Sequence, residues 1–275
     1  MIYIILGFVF LFGLVIGSFL NCLIWRLHKE EGMWNRSYCP LCQKQIAWYD
    51  NIPILSFILL GGKCRHCGKP ISWQYPVVEL IVGILFVLSF YLNLKTFTSA
   101  LLPNSQFSIF NFQLLFTSHF LILTLRDWFI IAVMIVIFIY DLRWSLILDK
   151  VTLPACLVVF ILNLALGVSW LALVVSAAIG GSFFLIQFLV SGGKWIGGGD
   201  IRLGLLMGFS LGSVSHLILA ILVAYFIGSV VGLSLLISKK KEWNSEVPLG
   251  IFLSSATIFT VFWGDKIINW YLGLF

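Results

Sequence analysis

Six cysteines and eleven acidic residues carry most of the chemistry open to this 275-residue chain. Cys39 and Cys42 form one C-x2-C pair, Cys64 and Cys67 form another, and 21 residues separate them. Two such knuckles can place four thiolates at the corners of a tetrahedron, the geometry of a closed structural zinc site. Turn-forming, small or polar neighbours suit each knuckle, in Cys39-Pro40-Leu41-Cys42-Gln43 and Cys64-Arg65-His66-Cys67-Gly68. A redox pair and free thiols are the other readings of the same spacing. His66 is a fifth candidate for four places and is read as a spectator. Cys22 and Cys156 lie in apolar runs and are most simply small buried side chains.

A second group is acidic. Glu79, Asp127, Asp141, Asp149, Asp200 and Asp265 stand in or beside long apolar stretches, where a carboxylate is costly and raises a functional hypothesis. Asp141 ends the run Ile130-to-Tyr140, and Asp200 follows Gly197-Gly198-Gly199 and opens the next apolar run. Glycine lets another backbone approach closely, so an extended peptide could lie beside Asp200. Two neighbouring carboxylates cannot both ionise easily and share a proton. One can then deprotonate a water while the other polarises a scissile carbonyl, which is aspartyl-protease chemistry. The competing reading keeps the two acids apart, paired with Arg143 and Arg202. His28, His119 and His216 have no ligand-like partners at useful spacing.

These residues must be positioned by membrane-embedded elements. The chain is 61% hydrophobic and 10% charged, with mean hydropathy +1.07, whereas a soluble domain carries about 25% charge. That excludes a cytosolic globule, a disordered chain and a secreted disulfide scaffold. Apolar runs near 2–25, 76–94, 127–147, 151–168, 170–190, 201–214, 216–238 and 249–273 predict an all-α polytopic protein of about eight transmembrane helices. The first run has no basic n-region and no A-x-A-like site, so it is expected to be retained. The predicted organisation is a first transmembrane helix at 1–26, a four-cysteine zinc module at 27–75, and a transmembrane bundle at 76–275. The segment 95–126 is expected to hold a short interfacial or re-entrant helix, or a ninth span that would reverse everything after it.

Basic residues sort the loops. Fourteen Lys and Arg residues fall in the loops after the first, third, fifth and seventh apolar runs, a set that includes the loops with the cysteines and the two aspartates, against Lys95, Arg126 and Lys266 on the alternate side. By the positive-inside rule the first set is cytoplasmic. The net charge of +6 follows from this bias, which is read as basic loops facing anionic lipid headgroups, and does not call for nucleic acid. A reducing cytoplasm also argues against disulfides in the module, and a module of this size draws much of its folding free energy from a metal.

With their surroundings, these residues resemble the bacterial type IV prepilin peptidase (prepilin leader peptidase/N-methyltransferase) family over nearly the whole chain. Gly17-Ser18-Phe19-Leu20-Asn21 with Trp25-Arg26-Leu27 is similar to the family's amino-terminal signature. So are the two knuckles, the intervening Trp48-to-Ser56 stretch, and Tyr75-Pro76-Val77-Val78-Glu79. Asp141-Leu142-Arg143, with Asp149 and Thr152-Leu153-Pro154, resembles the first catalytic-aspartate motif, and Gly197-Gly198-Gly199-Asp200 the G-x-G-D motif that carries the second. The resemblance implies removal of the leader of type IV prepilins and pseudopilins at the cytoplasmic edge of the cell membrane. It also implies methylation of the new amino terminus with S-adenosylmethionine, and it transfers the proteolytic roles to Asp141 and Asp200. Two positions depart from the pattern: Leu148 stands where proline is common, and Arg202 where lysine is frequent. Asp149 is expected to be a supporting acid. Glu79 is read as orienting the zinc module, contacting the substrate, or simply as a polar residue at the membrane edge. A non-catalytic zinc-containing assembly factor is the alternative reading. A small transporter is a third, disfavoured because neither an internal repeat nor mid-span acids are visible.

Overall fold

The structure is a computed structural model of the chain, and it describes residues 2–32, 36–101, 117–237 and 248–274. The chain forms two compact units, Met1–Phe120 and Leu121–Phe275. Helices dominate both, and the only β pairing among the described residues is two isolated bridges. This is what a long apolar chain must do in lipid, where backbone groups have to be satisfied within each segment.

In the first unit, α1 (Ile2–Lys29) and α3 (Gln74–Leu101) pack together, with the cysteine-bearing loop and the short α2 (Leu55–Leu59) between them in sequence. The two long helices approach closely through small residues. A Cβ on Gly17 would sit 2.7 Å from the Cα of Glu79, and one on Gly13 2.7 Å from the Cα of Gly83. Small residues of this kind let helix backbones touch in a membrane, where lipid gives no hydrophobic push.

The second unit contains most of α4 (Ser118–Trp144), then α5 (Asp149–Ala165), α6 (Trp170–Ser191), α7 (Gly198–Leu211), α8 (Val214–Ile237) and α9 (Leu249–Leu272). Helix ends follow from local chemistry. Gly192 and Gly212 adopt left-handed conformations that stop α6 and α7. Ser145, at φ 51°, ends α4, and Pro248 immediately precedes α9.

Helices form at all eight predicted positions, and among the described residues six of them are long and apolar enough to cross a bilayer: α1, α3, α4, α6, α8 and α9. The two exceptions are α5, with 17 residues, and α7, with 14. At 1.5 Å per residue they span about 25 and 21 Å, less than the roughly 30 Å of hydrocarbon. They pack against each other, and α7 also packs on α6. Within 95–126, α3 runs on to Leu101 and α4 starts at Ser118; the remainder of that region lies outside the described residues.

Candidate active site and metal centre

Asp141 lies three residues before the end of α4 and Asp200 in the first turn of α7; both are buried, at 4% and 7% exposure. Carboxylates at this depth need partners. Oδ2 of Asp141 accepts the Ile251 backbone N–H at 3.1 Å, at the start of α9. Oδ2 of Asp200 accepts the Gly197 N–H at 3.0 Å, so the acid reaches back and caps its own helix. Each acid therefore meets the electropositive amino-terminal end of a helix, a favourable place for a negative charge.

One residue in the α4–α5 connection links the two positions. The Cβ of Ile147 lies 2.8 Å from where a Cβ on Gly199 would be, and its Cδ1 lies 3.2 Å from the corresponding point at Gly250. The Gly250 point is itself 2.7 Å from Asp141 Oδ2. The first turns of α7 and α9 thus close on the same loop, and the carboxylates of Asp141 and Asp200 are near enough to interact electrostatically. Gly199 and Gly250 are needed here for clearance, because any side chain at either would push into Ile147 or the acid.

The depth of α7 is fixed by its contact with α6. A Cβ on Gly204 would meet the Gly180 carbonyl oxygen at 2.5 Å, and one on Gly208 the Ala177 Cα at 2.4 Å. From the opposite end of the same unit, the Asn163 side-chain amide donates to the Phe209 carbonyl at 2.8 Å, tying α5 to α7. Arg126 donates to Asn163 at 3.1 Å and to Asp127 at 2.7 Å, which brings α4 into the same network.

Asp149 and Arg202 form an ion pair with each other, both side chains being about half exposed. Arg202 therefore serves Asp149 rather than Asp200, while the Arg143 guanidinium lies 5.7 Å over the Trp144 ring. The arrangement in which the two buried acids are held by those two arginines does not occur. Sequence reading missed Gly250, Ile251, Ile147 and Asn163, none of which carries a chemical signature at its own position. His216, dismissed from spacing, has two partners: its Nδ1 lies 2.6 Å from Ser213 Oγ and its Nε2 3.0 Å from Asp265. The S-x-x-H capping spacing was the signal available for the first of these.

In the first unit, the sulfurs of Cys39, Cys42, Cys64 and Cys67 all lie within 4.8 Å of one another, with Cys39 and Cys67 at 3.9 Å. Tetrahedral zinc with bonds of about 2.3 Å sets its sulfurs roughly 3.8 Å apart, so the set fits such a metal. The two knuckles repeat one backbone pattern. Cys39 N–H donates to Lys44 and Cys64 N–H to Lys69, both at 2.9 Å, while Gln43 and Gly68 turn through left-handed conformations. Backbone N–H groups of Cys67 and His66 pull the Cys64 thiol down to about 7. At Cys67 the Lys69 N–H favours the thiolate, but desolvation and the three neighbouring thiols push it up to about 11. That crowding is what a bound cation would relieve.

Polar contacts tie the module to α3, join α1 to α3 where the module ends, and brace the module internally. Glu79 is buried and accepts the Ile54 N–H at 2.7 Å, holding Ile54 at φ 59°. Asn21 donates to the Tyr75 carbonyl at 3.1 Å, and Gln74 donates back to Asn21 at 3.2 Å. Arg65 in the second knuckle grips Asp50 with two hydrogen bonds of 2.7 and 2.6 Å. Of the readings open for Glu79, orientation of the module is the one these contacts match.

Comparison with known proteins agrees with the two-part layout. Residues 11–93 match the bacterial peptidase A24 N-terminal domain, and residues 128–233 match the type IV leader peptidase family. The chain is 31% identical to a prepilin leader peptidase/N-methyltransferase of Aeromonas hydrophila, over 96% of this chain and 92% of that protein. Proteins of the same description from Legionella pneumophila and Bacillus subtilis are each 28% identical, over 98% and 97% of this chain and 94% and 98% of theirs. No solved structure gives a significant match. Two family matches that divide between the cysteine-bearing half and the aspartate-bearing half, with relatives matched almost end to end, place the chain in the type IV leader peptidase family.

Proposed function

We propose that this protein is a membrane-embedded aspartyl endopeptidase that removes the leader peptide of prepilin-like substrates and then methylates the new amino terminus. The observation that carries the peptidase reading is the buried pair Asp141 and Asp200, held at facing helix ends around Ile147. In this reading the pair titrates as a unit. The ionised member deprotonates a water, and the protonated member polarises the scissile carbonyl and gives its proton to the leaving amine.

At the start of α7, Gly198 has nothing within 4 Å of its Cβ position, which leaves room there for an extended peptide backbone, whereas Gly199 and Gly250 already pack against Ile147 and Asp141. The short α5 and α7 would set the dyad slightly inside the membrane edge, where a substrate's apolar stem can stay in the bundle. Sidedness follows from the basic loops, which put the dyad and the cysteine module on the cytoplasmic side of the cell membrane. Within this reading 1–26 is the first membrane helix, 27–75 the metal module and 76–275 the peptidase bundle. Cys39, Cys42, Cys64 and Cys67 would hold a structural Zn2+. Asp149 supports the loop through Arg202, Gly197 and Gly198 keep the approach to Asp200 open, and Gly199 lets the first turn of α7 close on Ile147. The methyl-transfer half rests on the names of the relatives, with S-adenosylmethionine as the donor.

Asp141→Asn and Asp200→Asn, each in membranes containing a prepilin substrate, test the peptidase reading by following leader removal. Each variant is expected to lose at least about a hundredfold in rate. Full cleavage by either would sink the dyad and favour a non-catalytic assembly role.

A further inference from the structure

Outside the membrane-crossing helices, the apolar side chains of the loop between the two knuckles stand apart. Trp48, Ile52, Leu55, Ile58 and Leu59 are all exposed, Trp48 at 81% and Leu59 at 75%. Positions 55, 58 and 59 share one face of α2, and Trp48 and Ile52 belong to the preceding 3-10 turn and its end, which packs against α2. Phe57 does the opposite: its ring packs 4.9 Å from that of Trp73 and covers Gly62. The ridge is held in place at both ends. Glu79 fixes Ile54 just before α2, and Asp50, in the 3-10 turn that contains Trp48, is clamped by Arg65.

Water is a poor environment for such a ridge, and contiguous exposed apolar surface marks an interaction site. Two observations identify the occupant. The loop runs at both ends directly into α1 and α3, which are long and apolar enough to cross the bilayer, so the ridge is tethered at the membrane edge. Residues 27–75 also carry six Lys and Arg against three acids, with Lys63, Arg65 and Lys69 following the ridge in sequence. An aromatic and aliphatic ridge flanked by basic residues suits an anionic headgroup layer.

We propose that the Trp48–Leu59 ridge inserts into the anionic surface of the same membrane that α1 and α3 cross, making the cysteine module a membrane-bound segment rather than a free loop. The inserted ridge anchors one knuckle through Asp50 and Arg65, and so couples the module's orientation to lipid charge.

The test uses the full chain in nanodiscs of zwitterionic lipid, with or without anionic lipid, each doped with a lipid brominated near the headgroup. Quenching that belongs to Trp48 is the difference between wild type and Trp48→Phe. It is expected to be at least about threefold larger when anionic lipid is present. Ile58→Glu combined with Leu59→Glu should abolish that signal while bound metal is retained. If that pair disturbs folding, Lys63→Gln with Lys69→Gln reads the charge contribution without touching the ridge, and should remove the dependence on anionic lipid. No Trp48 quenching in anionic discs, or an unchanged lipid dependence in the lysine variant, overturns the proposal. Protection of residues 52–59 from hydrogen exchange that rises with copies per disc would overturn it in favour of a second copy of this chain.

Discussion

A Cβ on Gly250 would lie 2.7 Å from Oδ2 of Asp141, the same oxygen that accepts the Ile251 N–H at 3.1 Å. The acid and the first turn of α9 are thus in contact through a position that tolerates only hydrogen. Gly250→Ala is expected to displace the carboxylate by a fraction of an ångström or tilt α9 away from it. Misplacement of a catalytic group on this scale costs up to about a hundredfold, so leader cleavage should fall by one to two orders of magnitude while the protein still folds. Gly232→Ala is the control, because nothing lies within 4 Å of its Cβ position. Wild-type cleavage by Gly250→Ala would show that Asp141 does not need this contact.

Asp149 invites confusion with a third catalytic acid, and its partner argues otherwise. It is about half exposed and paired with Arg202, whereas Asp141 and Asp200 are buried. An exposed ion pair contributes about 0–1 kcal/mol. Asp149→Asn and Arg202→Gln are therefore each expected to keep cleavage within roughly tenfold of wild type, and the double variant should lose little beyond the worse single one. A loss in Asp149→Asn as deep as that in Asp200→Asn would move Asp149 into the chemistry.

Much of this site was legible because its charged members are conspicuous in an apolar chain. Asp141, Asp200 and the four cysteines announce themselves by type and spacing, and the helix positions follow from the apolar runs. What the runs could not disclose is how far each helix reaches. The apolar stretches at 151–168 and 201–214 look like spans, but α5 and α7 stop at the turns through the left-handed Gly167 and Gly212. Arg202 was equally ambiguous: it follows Asp200 by two positions, a separation that does not face it along a helix, and its partner Asp149 is 53 residues away. Contacts made by backbone groups, such as the Ile251 N–H on Asp141, leave no trace in residue type.

The pairing of α6 with α7 sets the height of Asp200, and it depends on the absence of side chains. Gly180 and Gly204 face each other so closely that a Cβ on either would lie 2.3 to 2.5 Å from the other's carbonyl oxygen. Backbone cannot yield as a flexible side chain can. Gly204→Ala is expected to destabilise the protein by about 1–3 kcal/mol, and Gly204→Val by more, with cleavage falling in parallel as α7 moves. Thermal unfolding in detergent measures the first effect. A Gly204→Val protein with unchanged melting and full activity would contradict the helix contact.

The cysteine module should come apart on acidification in a defined order. Metal ligands must be thiolates, so protons compete with the metal. The Cys64 thiol is held down to about 7 by backbone N–H groups, and Cys67 is pushed up to about 11 among its neighbours. Without metal, Cys67 is therefore protonated throughout the neutral range, and Cys64 gains its proton as the pH drops through about 7. Apparent metal affinity should therefore fall as the pH drops, and more steeply below about 7 than above it. Asp50 behaves differently, because its hydrogen bonds from Arg65 hold its carboxyl below the ordinary value. A depressed carboxyl contributes stability above its unfolded pKa and loses it only as the pH falls through the lowered one. Metal should consequently leave first, with the Asp50–Arg65 link surviving to lower pH. Metal analysis across a pH series is expected to give about one zinc per chain near neutrality and none in mild acid. Cys39→Ser and Cys64→Ser should lose it at every pH, and a stoichiometry indifferent to either substitution would exclude the four-thiolate site.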